Sequence, residues 1–278
     1  MFYWGTLFGA AIGFYLEEIP GGLFGMLLGF LVDKSILVLK QPQFSKINPA
    51  ELAQLQREFF VATFAVMGHV SMAKTSEATE QNEALNKVIA RLNLPPDVHE
   101  EAIALYNEGK KSGFDLNQVI IPFYTVCRYQ THLLEMFLEI QLYAAYKDGD
   151  INPSQNQILL NIARELGLSR ADYDRILSTI RAEHHFRRER PAGHENNNVN
   201  TSVPVTGIDN VEDAYAILCL PPTASVEEIK KAYRRLTSMH HPDKLVAKGL
   251  PEEMLKIAED KTREIRLAYE RIRAIRNF

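Results

Sequence analysis

The chain has 278 residues, of which 46% are hydrophobic and 24% are charged, a balance that excludes an intrinsically disordered protein. The length exceeds that of one small helical module, and the net charge of −4 gives no global indication of nucleic-acid binding. Its two cysteines, Cys127 and Cys219, are too few for a disulfide framework or a zinc site, which fits a reducing, cytosolic location for the bulk of the chain.

The N-terminus consists of two uncharged stretches, residues 1–16 and 23–32, separated by Glu-Glu-Ile-Pro-Gly-Gly. No positive region precedes the first stretch, which argues against a cleavable signal peptide. A membrane span needs about 20 mainly apolar residues, and neither stretch supplies them alone. Two arrangements fit this pattern: a single tilted or kinked helix, or a re-entrant hairpin that turns at Pro20.

Glycines recur at every fourth position through this N-terminal segment. Small residues at that spacing let two membrane helices approach closely, so we predict a dimer formed within the bilayer. The missing position in the series is Glu17. The alternative is that membrane helices are simply rich in glycine. The glycine series consists of Gly5, Gly9, Gly13, Gly21, Gly25 and Gly29.

The lysines set the orientation of the anchor. No lysine or arginine precedes residue 33, whereas Lys34, Lys40 and Lys46 follow it closely. Positive charges stay on the cytoplasmic side of a membrane. We therefore predict a transmembrane anchor at residues 1–32 and a cytoplasmic juxtamembrane linker at residues 33–49.

Residues 50–185 show helical periodicity and an internal repeat. A shift of 74 residues sets residues 84–94 on residues 158–168 without a gap. The same shift sets Phe60 on Leu134 and Phe64 on Leu138. We predict that each copy is a long helix, a polar turn and a shorter helix, and that the copies pack about a pseudo-twofold axis.

Residues 186–210 lack apolar periodicity and contain a run of asparagines, so we predict a flexible linker. A tether of this length would let the C-terminal module search for a partner while the protein stays at the membrane.

The C-terminal residues 211–278 predict a small helical hairpin with a first helix packed across it. Ser225 and Glu228 form a capping-box pattern that starts a helix with apolar residues on one face and basic residues on the other. Pro242 ends that helix, because its ring clashes with the preceding turn. His241 and Asp243 are thereby held on a rigid, exposed corner, one a hydrogen-bond donor and the other acidic.

Four motifs mark this module: Tyr215-Ala-Ile-Leu218, Ala232-Tyr-Arg-Arg-Leu236, His240-His-Pro-Asp-Lys244 and Ala268-Tyr-Glu270. In their order and spacing they resemble a J domain. Two departures stand out: Cys219 occupies a position where J domains usually have glycine, and the loop after Lys244 is longer than usual. That longer loop resembles the loop of membrane-anchored DnaJ-like proteins of the DjlA type.

The resemblance implies a co-chaperone that binds a DnaK-type ATPase and stimulates its ATP hydrolysis. It implies no enzymatic activity and no cofactor of its own. The resemblance also favours the single membrane span over the hairpin, and it implies a bacterial inner-membrane protein with a periplasmic N-terminus and cytoplasmic domains. The implied contact residues for the partner are His241, Pro242, Asp243, Lys230, Lys231, Arg234 and Arg235.

The central residues 50–185 resemble a TerB-like helical domain, mainly through Ala144-Ala-Tyr-Lys-Asp-Gly-Asp150. Such domains can bind metal through acidic residues at their turns. Asp148 and Asp150 are present, but Gln155 or Gln157 stands where the family often has glutamate, so we predict no metal site. The expected fold is therefore all-α, with a transmembrane helix, a TerB-like domain containing the repeat, and a J-domain hairpin.

The sequence offers two alternatives to the co-chaperone. The first is a membrane signalling scaffold, in which the acidic central domain binds a partner or a metal and the J domain is auxiliary. The second is a hydrolase using His241 and Asp243, which the sequence disfavours because it offers neither a nucleophile nor a glycine-rich phosphate loop.

Overall fold

The computed structural model describes residues 48–73, 78–92, 94–146, 151–188 and 209–278. Over these ranges the chain is helical and contains no strand, which confirms the all-α prediction. The predicted anchor, its glycine series and the lysines that follow it lie outside the described residues. No helix in the described ranges is long and apolar enough to cross a membrane.

The central part of the described chain is built from seven helices. They are α1 (Pro49–Met72), α2 (Ala78–Leu92), α3 (Pro96–Gly109), α4 (Asn117–Cys127), α5 (Thr131–Ala145), α6 (Pro153–Glu165) and α7 (Arg170–Arg188).

Helix α1 runs through the middle of this helical group, because its second half is buried on nearly every side. Phe59 lies edge-on to Phe123 of α4 and to Phe137 of α5, with ring centroids 5.7 and 6.3 Å apart. Edge-to-face pairs of this kind add stability beyond the area they bury. The aromatic contacts therefore join α1, α4 and α5 in one core.

Two glycines let α1 and α3 cross at backbone contact. A Cβ atom on Gly68 would lie 2.0 Å from the carbonyl oxygen of Tyr106, and one on Gly109 would lie 1.9 Å from that of Ala65. No side chain fits at either position, since the obstructing atoms are main chain. The crossing is thus specified by the two glycines.

The repeated sequence corresponds to two similar helix pairs. In the first copy α1 has 24 residues and α2 has 15, and in the second α5 has 15 and α6 has 13. The equivalent positions Phe60 and Leu134, and Phe64 and Leu138, are all buried. Each copy therefore has the predicted longer and shorter helix, and the pseudo-twofold relation between the copies stays a prediction.

The C-terminal part begins after residues 189–208, which lie outside the described ranges. It consists of α8 (Asp209–Ile217), α9 (Val226–Met239), the short α10 (Pro242–Val246), a 3-10 turn (Glu252–Met254) and the long α11 (Leu255–Arg276). The core of this part lies between α8, α9 and α11 and includes Ile229, Leu236 and Ile265. The predicted hairpin with a cross-packed first helix is therefore present.

Helix α7 belongs to both parts. Its first three turns bury Tyr173, Ile176 and Ile180 in the central core. Its last turns bury Ala182 and Phe186 in the core of the C-terminal hairpin. The hairpin is thus packed on the central helices, which differs from the expectation of a module that searches freely on its tether. Residues Ala50–Phe278 form one compact unit.

Candidate functional site

Helix α9 starts with the predicted capping box. The Ser225 backbone N–H donates to the Glu228 carboxylate at 2.7 Å, and the Glu228 N–H donates to Ser225 Oγ at 3.2 Å. Hydrogen bonding of its carboxylate to the backbone and the side chain of Ser225 lowers the pKa of Glu228. The reciprocal pair fixes where the basic helix begins and hence which of its residues face outward.

The helix ends at the predicted proline corner. Met239 is the last residue of α9, His240 caps it, and His241 is the N-cap of α10 with an extended backbone. Pro242 occupies the first helical position of α10, where its missing N–H costs nothing. His241 and Asp243 therefore flank a rigid turn between two helices, as the sequence predicts.

Both polar side chains of the corner face solvent. The side chain of His241 is 47% exposed and that of Asp243 is 89% exposed, with 3.9 Å between His241 Nδ1 and Asp243 Oδ2. Pro242 between them is half-buried. The corner thus presents a hydrogen-bond donor and an acid to solvent.

The four predicted basic residues Lys230, Lys231, Arg234 and Arg235 are all exposed on α9. Two of them also make local contacts. Lys230 lies over the Phe278 ring at 5.2 Å, and Arg234 Nε donates to the Lys230 carbonyl at 3.2 Å. This face of α9 therefore presents four positive charges to solvent.

Contacts with α11 hold the corner in place. Tyr233 stacks on Tyr269 with ring centroids 4.2 Å apart and an interplanar angle of 16°. Thr262 Oγ1 donates to the His240 carbonyl at 3.0 Å. These contacts fix α9 and its end against α11, so that the exposed corner is backed by packed structure.

His240, next to the corner, points inward. It is half-buried, and its Nδ1 atom is fully buried without a hydrogen-bond partner. Burial and the nearby Lys261 ammonium lower the pKa of His240 to about 3, so its imidazole is neutral at physiological pH. The two adjacent histidines thus have opposite environments, with only His241 available to a partner.

Cys219, the departure from the J-domain pattern, has a left-handed backbone with φ of 55°. It ends α8 in a Schellman arrangement, in which Cys219 N–H donates to Ala216 and Leu220 N–H donates to Tyr215. Glycine adopts this conformation without strain, which explains why the position favours it. Cys219 therefore has the left-handed backbone conformation that glycine would have at this position.

Sequence reasoning did not identify a set of buried charges between the two parts. Lys261 of α11 donates to Glu139 of α5 and, at 2.5 Å, to Glu183 of α7. Arg91 of α2 donates to Asp260 of α11 at 3.0 Å. The available signal was the position of Lys261, four residues after the buried Ile257 and four before the buried Ile265 on one helix.

The turn considered for metal binding, with Asp148 and Asp150, lies outside the described residues. Gln155 is buried in the central core, where its Nε2 donates to the Val70 carbonyl at 3.2 Å. This residue therefore has a structural role in joining α6 to α1. No group of three or more metal-ligating side chains is assembled within the described part of the chain.

A basic helix, a rigid His-Pro-Asp corner and a long return helix define the C-terminal part as a J domain, the recognition module of co-chaperones. Family comparisons agree. The DnaJ domain model matches residues 213–274, and the model of the tellurite resistance protein TerB matches residues 60–178. The model of the co-chaperone DjlA transmembrane domain matches residues 1–55, which confirms the predicted N-terminal transmembrane anchor.

Similar proteins match over their full length. The co-chaperone protein DjlA of Vibrio parahaemolyticus is 37% identical, with 100% of both chains covered. That of Photobacterium profundum is 35% identical over 99% of both chains, and that of Coxiella burnetii is 35% identical over 99% of this chain and 98% of its own. No solved structure matches the chain. The chain belongs to the DjlA family of membrane co-chaperones.

Proposed function

We propose that this chain binds a DnaK-type ATPase through its J domain and stimulates ATP hydrolysis by that partner. The observation that carries the proposal is the exposed His241-Pro242-Asp243 corner at the end of a basic helix. The chemistry of hydrolysis belongs to the partner. This chain supplies the contact that starts it.

The division of labour within the contact follows from the residue types. Clustered lysine and arginine attract an acidic partner over a distance and raise the association rate. A rigid corner with a donor and an acid fixes the register of the complex. Residues 211–278 carry 13 Lys and Arg against 11 Asp and Glu, a net of +2, whereas residues 47–182 carry 12 against 17, a net of −5. Of these two regions, the J domain is the positive one.

The direct test is stimulation of a purified DnaK-type chaperone by the full-length protein in detergent micelles. His241→Gln should abolish stimulation, since it removes the imidazole from the corner while leaving α9 and α10 intact. The matched control is His185→Gln, the same change at an exposed position on α7. Stimulation by the His241 variant equal to that of the control would show that the corner is not the contact.

We also propose that the chain lies in the bacterial inner membrane with a periplasmic N-terminus and cytoplasmic domains. The support is the absence of positive charge before residue 33 and the lysines after it. Reporter fusions test this topology. A cytoplasmic reporter should be active after residue 278 and inactive before residue 1, and the reverse result would invert the orientation.

Dimerisation through the anchor rests on the glycine series at every fourth position. Replacing Gly13 and Gly25 with leucine should separate the helices, because a large side chain prevents close backbone approach. Cross-linking in membranes measures the dimer. Leucine at Phe8 and Phe24, positions off the series, is the control, and equal cross-linking of both variants would contradict a glycine-mediated interface.

A further inference from the structure

We propose that the J domain works while docked on the central domain, so that the two together form one platform for the ATPase. This inference rests on the proposed function. A central domain that restrains the J domain would have to release it before the J domain binds its partner. A central domain that supports the J domain stays attached while the J domain binds, and this is the role proposed.

The docked surface includes the unusually long loop after Lys244. Leu245, Leu250 and Met254 of this segment are almost completely buried and belong to the core of the central domain rather than to that of the hairpin. Gln56 of α1 donates to the Leu250 carbonyl at 3.4 Å. The added loop residues therefore serve as an apolar anchor on α1.

A second part of the interface is the cluster of buried charges around Lys261. Burial lowers the pKa of this ammonium, but Glu139 and Glu183 more than compensate, so its net pKa is raised and it stays charged. Asp260, next to it, pairs with the largely buried Arg91 of α2. A buried charge is stable only beside its partners, so these pairs favour a single docked arrangement over a range of loose ones.

The third part is the shared helix α7. Its residues Ala182 and Phe186 complete the core of the hairpin, and Thr179 Oγ1 lies 3.8 Å from Cys219 Sγ at the end of α8. Detachment of the J domain would remove these apolar side chains from its own core and expose the apolar loop as well. Undocking therefore has a large free-energy cost, because it exposes these apolar side chains to water.

The partner-binding side chains are not among the contacts of these three parts, although the corner lies only two residues before Leu245. The docked face consists of α8, residues 245–258 and the side of α11 that carries Lys261. The four basic residues are on α9 and the corner lies at the start of α10, and the side chains of His241, Asp243 and the basic residues are exposed in the docked state. Docking thus uses one side of the J domain and leaves the corner and the basic residues accessible to the partner. The central domain therefore supports the J domain rather than restraining it.

A disulfide between α7 and α8 tests the inference directly. Thr179→Cys sets a second thiol beside Cys219, at a separation that small side-chain movements reduce to bonding distance. The other cysteine, Cys127, does not interfere, because burial raises the pKa of its thiol to about 12. The full-length variant is oxidised with diamide, and Thr179→Ser treated in the same way is the control.

The locked protein should stimulate the chaperone as well as its reduced form does. A loss of about five-fold or more on oxidation, regained on reduction, would show that the J domain must detach, since coupled sites typically differ by at least that factor. Failure of the disulfide to form would overturn the docked arrangement itself. If neither the reduced variant nor the parent stimulates, the proposed function fails instead, while the yield of disulfide still reports on docking.

Hydrogen exchange of the unmodified protein gives an independent result. When the ATP-bound chaperone is added, amides of α9 and α10 should gain protection while those of α7, α8 and residues 250–258 keep theirs. Faster exchange in α8 and residues 250–258 on chaperone binding would mean that binding releases the J domain, and would overturn the inference.

Discussion

The side chain of Leu55, in the first turns of α1, lies directly against the bare Cα of Gly249 in the long loop of the J domain. A Cβ atom added at Gly249 would be 2.3 Å from Leu55 Cδ2, and the glycine has a φ of 109° that side chains rarely adopt. The loop approaches α1 this closely because the residue is glycine.

Gly249→Ala should therefore weaken docking through both the contact and the backbone. Backbone strain alone costs about 1 to 3 kcal/mol at such a position. Gly113→Ala is the matched control, since Gly113 has a φ of 88° but no atom within 4 Å of the added Cβ. Thermal unfolding of the two variants separates the effect of the Leu55 contact from that of the backbone. The melting temperature should fall further in Gly249→Ala than in Gly113→Ala. Equal falls would mean that the Leu55 side chain moves aside without cost.

Lys261→Met should destabilise the folded chain strongly, because it removes the ammonium that donates to the carboxylates of Glu139 and Glu183. Removing one member of a buried ion pair typically costs about 3 to 5 kcal/mol. Lys111→Met is the control, since Lys111 pairs with Glu108 at an exposed position where the expected change is below about 1 kcal/mol. Urea unfolding measures both.

A triple variant separates the charges from the packing around Lys261. Lys261→Met combined with Glu139→Gln and Glu183→Gln should recover part of the lost stability, since no unpaired charge remains buried. If the triple variant is as unstable as the single one, the lysine stabilises the interface by packing rather than by charge.

Stability should fall on mild acidification because of His240. The folded state keeps this imidazole neutral down to about pH 3, whereas the unfolded chain binds a proton near pH 6.5. The contribution is thus complete above pH 6.5 and is lost as the pH decreases. Each pH unit below that value costs about 1.4 kcal/mol, so about 2 kcal/mol is lost by about pH 5.

The variant His240→Gln should flatten this pH dependence, and His185→Gln should leave it unchanged. The charges near His240 are those of Lys261, Arg175 and His132, which oppose its protonation, and that of Glu183, which favours it. Chemical denaturation at a series of pH values is the measurement. An unchanged slope in His240→Gln would assign the acid sensitivity to another group, such as the half-buried His69.

The recognition face of the J domain was predictable from sequence, and its docking was not. The capping box of Ser225 and the corner at Pro242 depend on residues a few positions apart, so their patterns are visible in the chain. The spacing of Lys261 from Ile257 and Ile265 places it on the buried side of α11, but its partners Glu139 and Glu183 lie 122 and 78 residues away and carry no local signal. A buried ion cluster of this kind becomes recognisable only when the elements are packed.

The same distinction holds in the central domain. The repeat predicted the helix pairs, since matched apolar positions such as Phe64 and Leu138 indicate equivalent burial. The backbone contact of Gly68 with Tyr106 had no signal beyond one glycine in each helix. The composition of residues 186–210 predicts a flexible linker, whereas α7 continues to Arg188 and buries Phe186 in the core of the J domain.

Cys219→Gly should stabilise the J domain. The cysteine has a left-handed backbone, which costs an L-residue with a side chain about 1 kcal/mol relative to glycine. Loss of the contact with Thr179 offsets part of this gain. The expected change is therefore small and favourable, visible as a rise in melting temperature, and a fall would show that the Thr179 contact outweighs the backbone strain.

The basic face of α9 should control how fast the ATPase partner is found rather than how well the bound complex works. Lys231→Ala combined with Arg235→Ala removes two exposed charges and leaves the corner intact, so the association rate should fall about three- to ten-fold at low salt. The difference should shrink as salt rises, because the screening length decreases to about 8 Å at physiological ionic strength. Arg57→Ala with Lys111→Ala removes the same charge from the central domain and should change neither rate nor salt dependence. Stopped-flow association with the chaperone measures the rates, and maximal ATPase stimulation at saturating protein should stay unchanged; a loss of that maximum would mean that the basic residues also set the register of the complex.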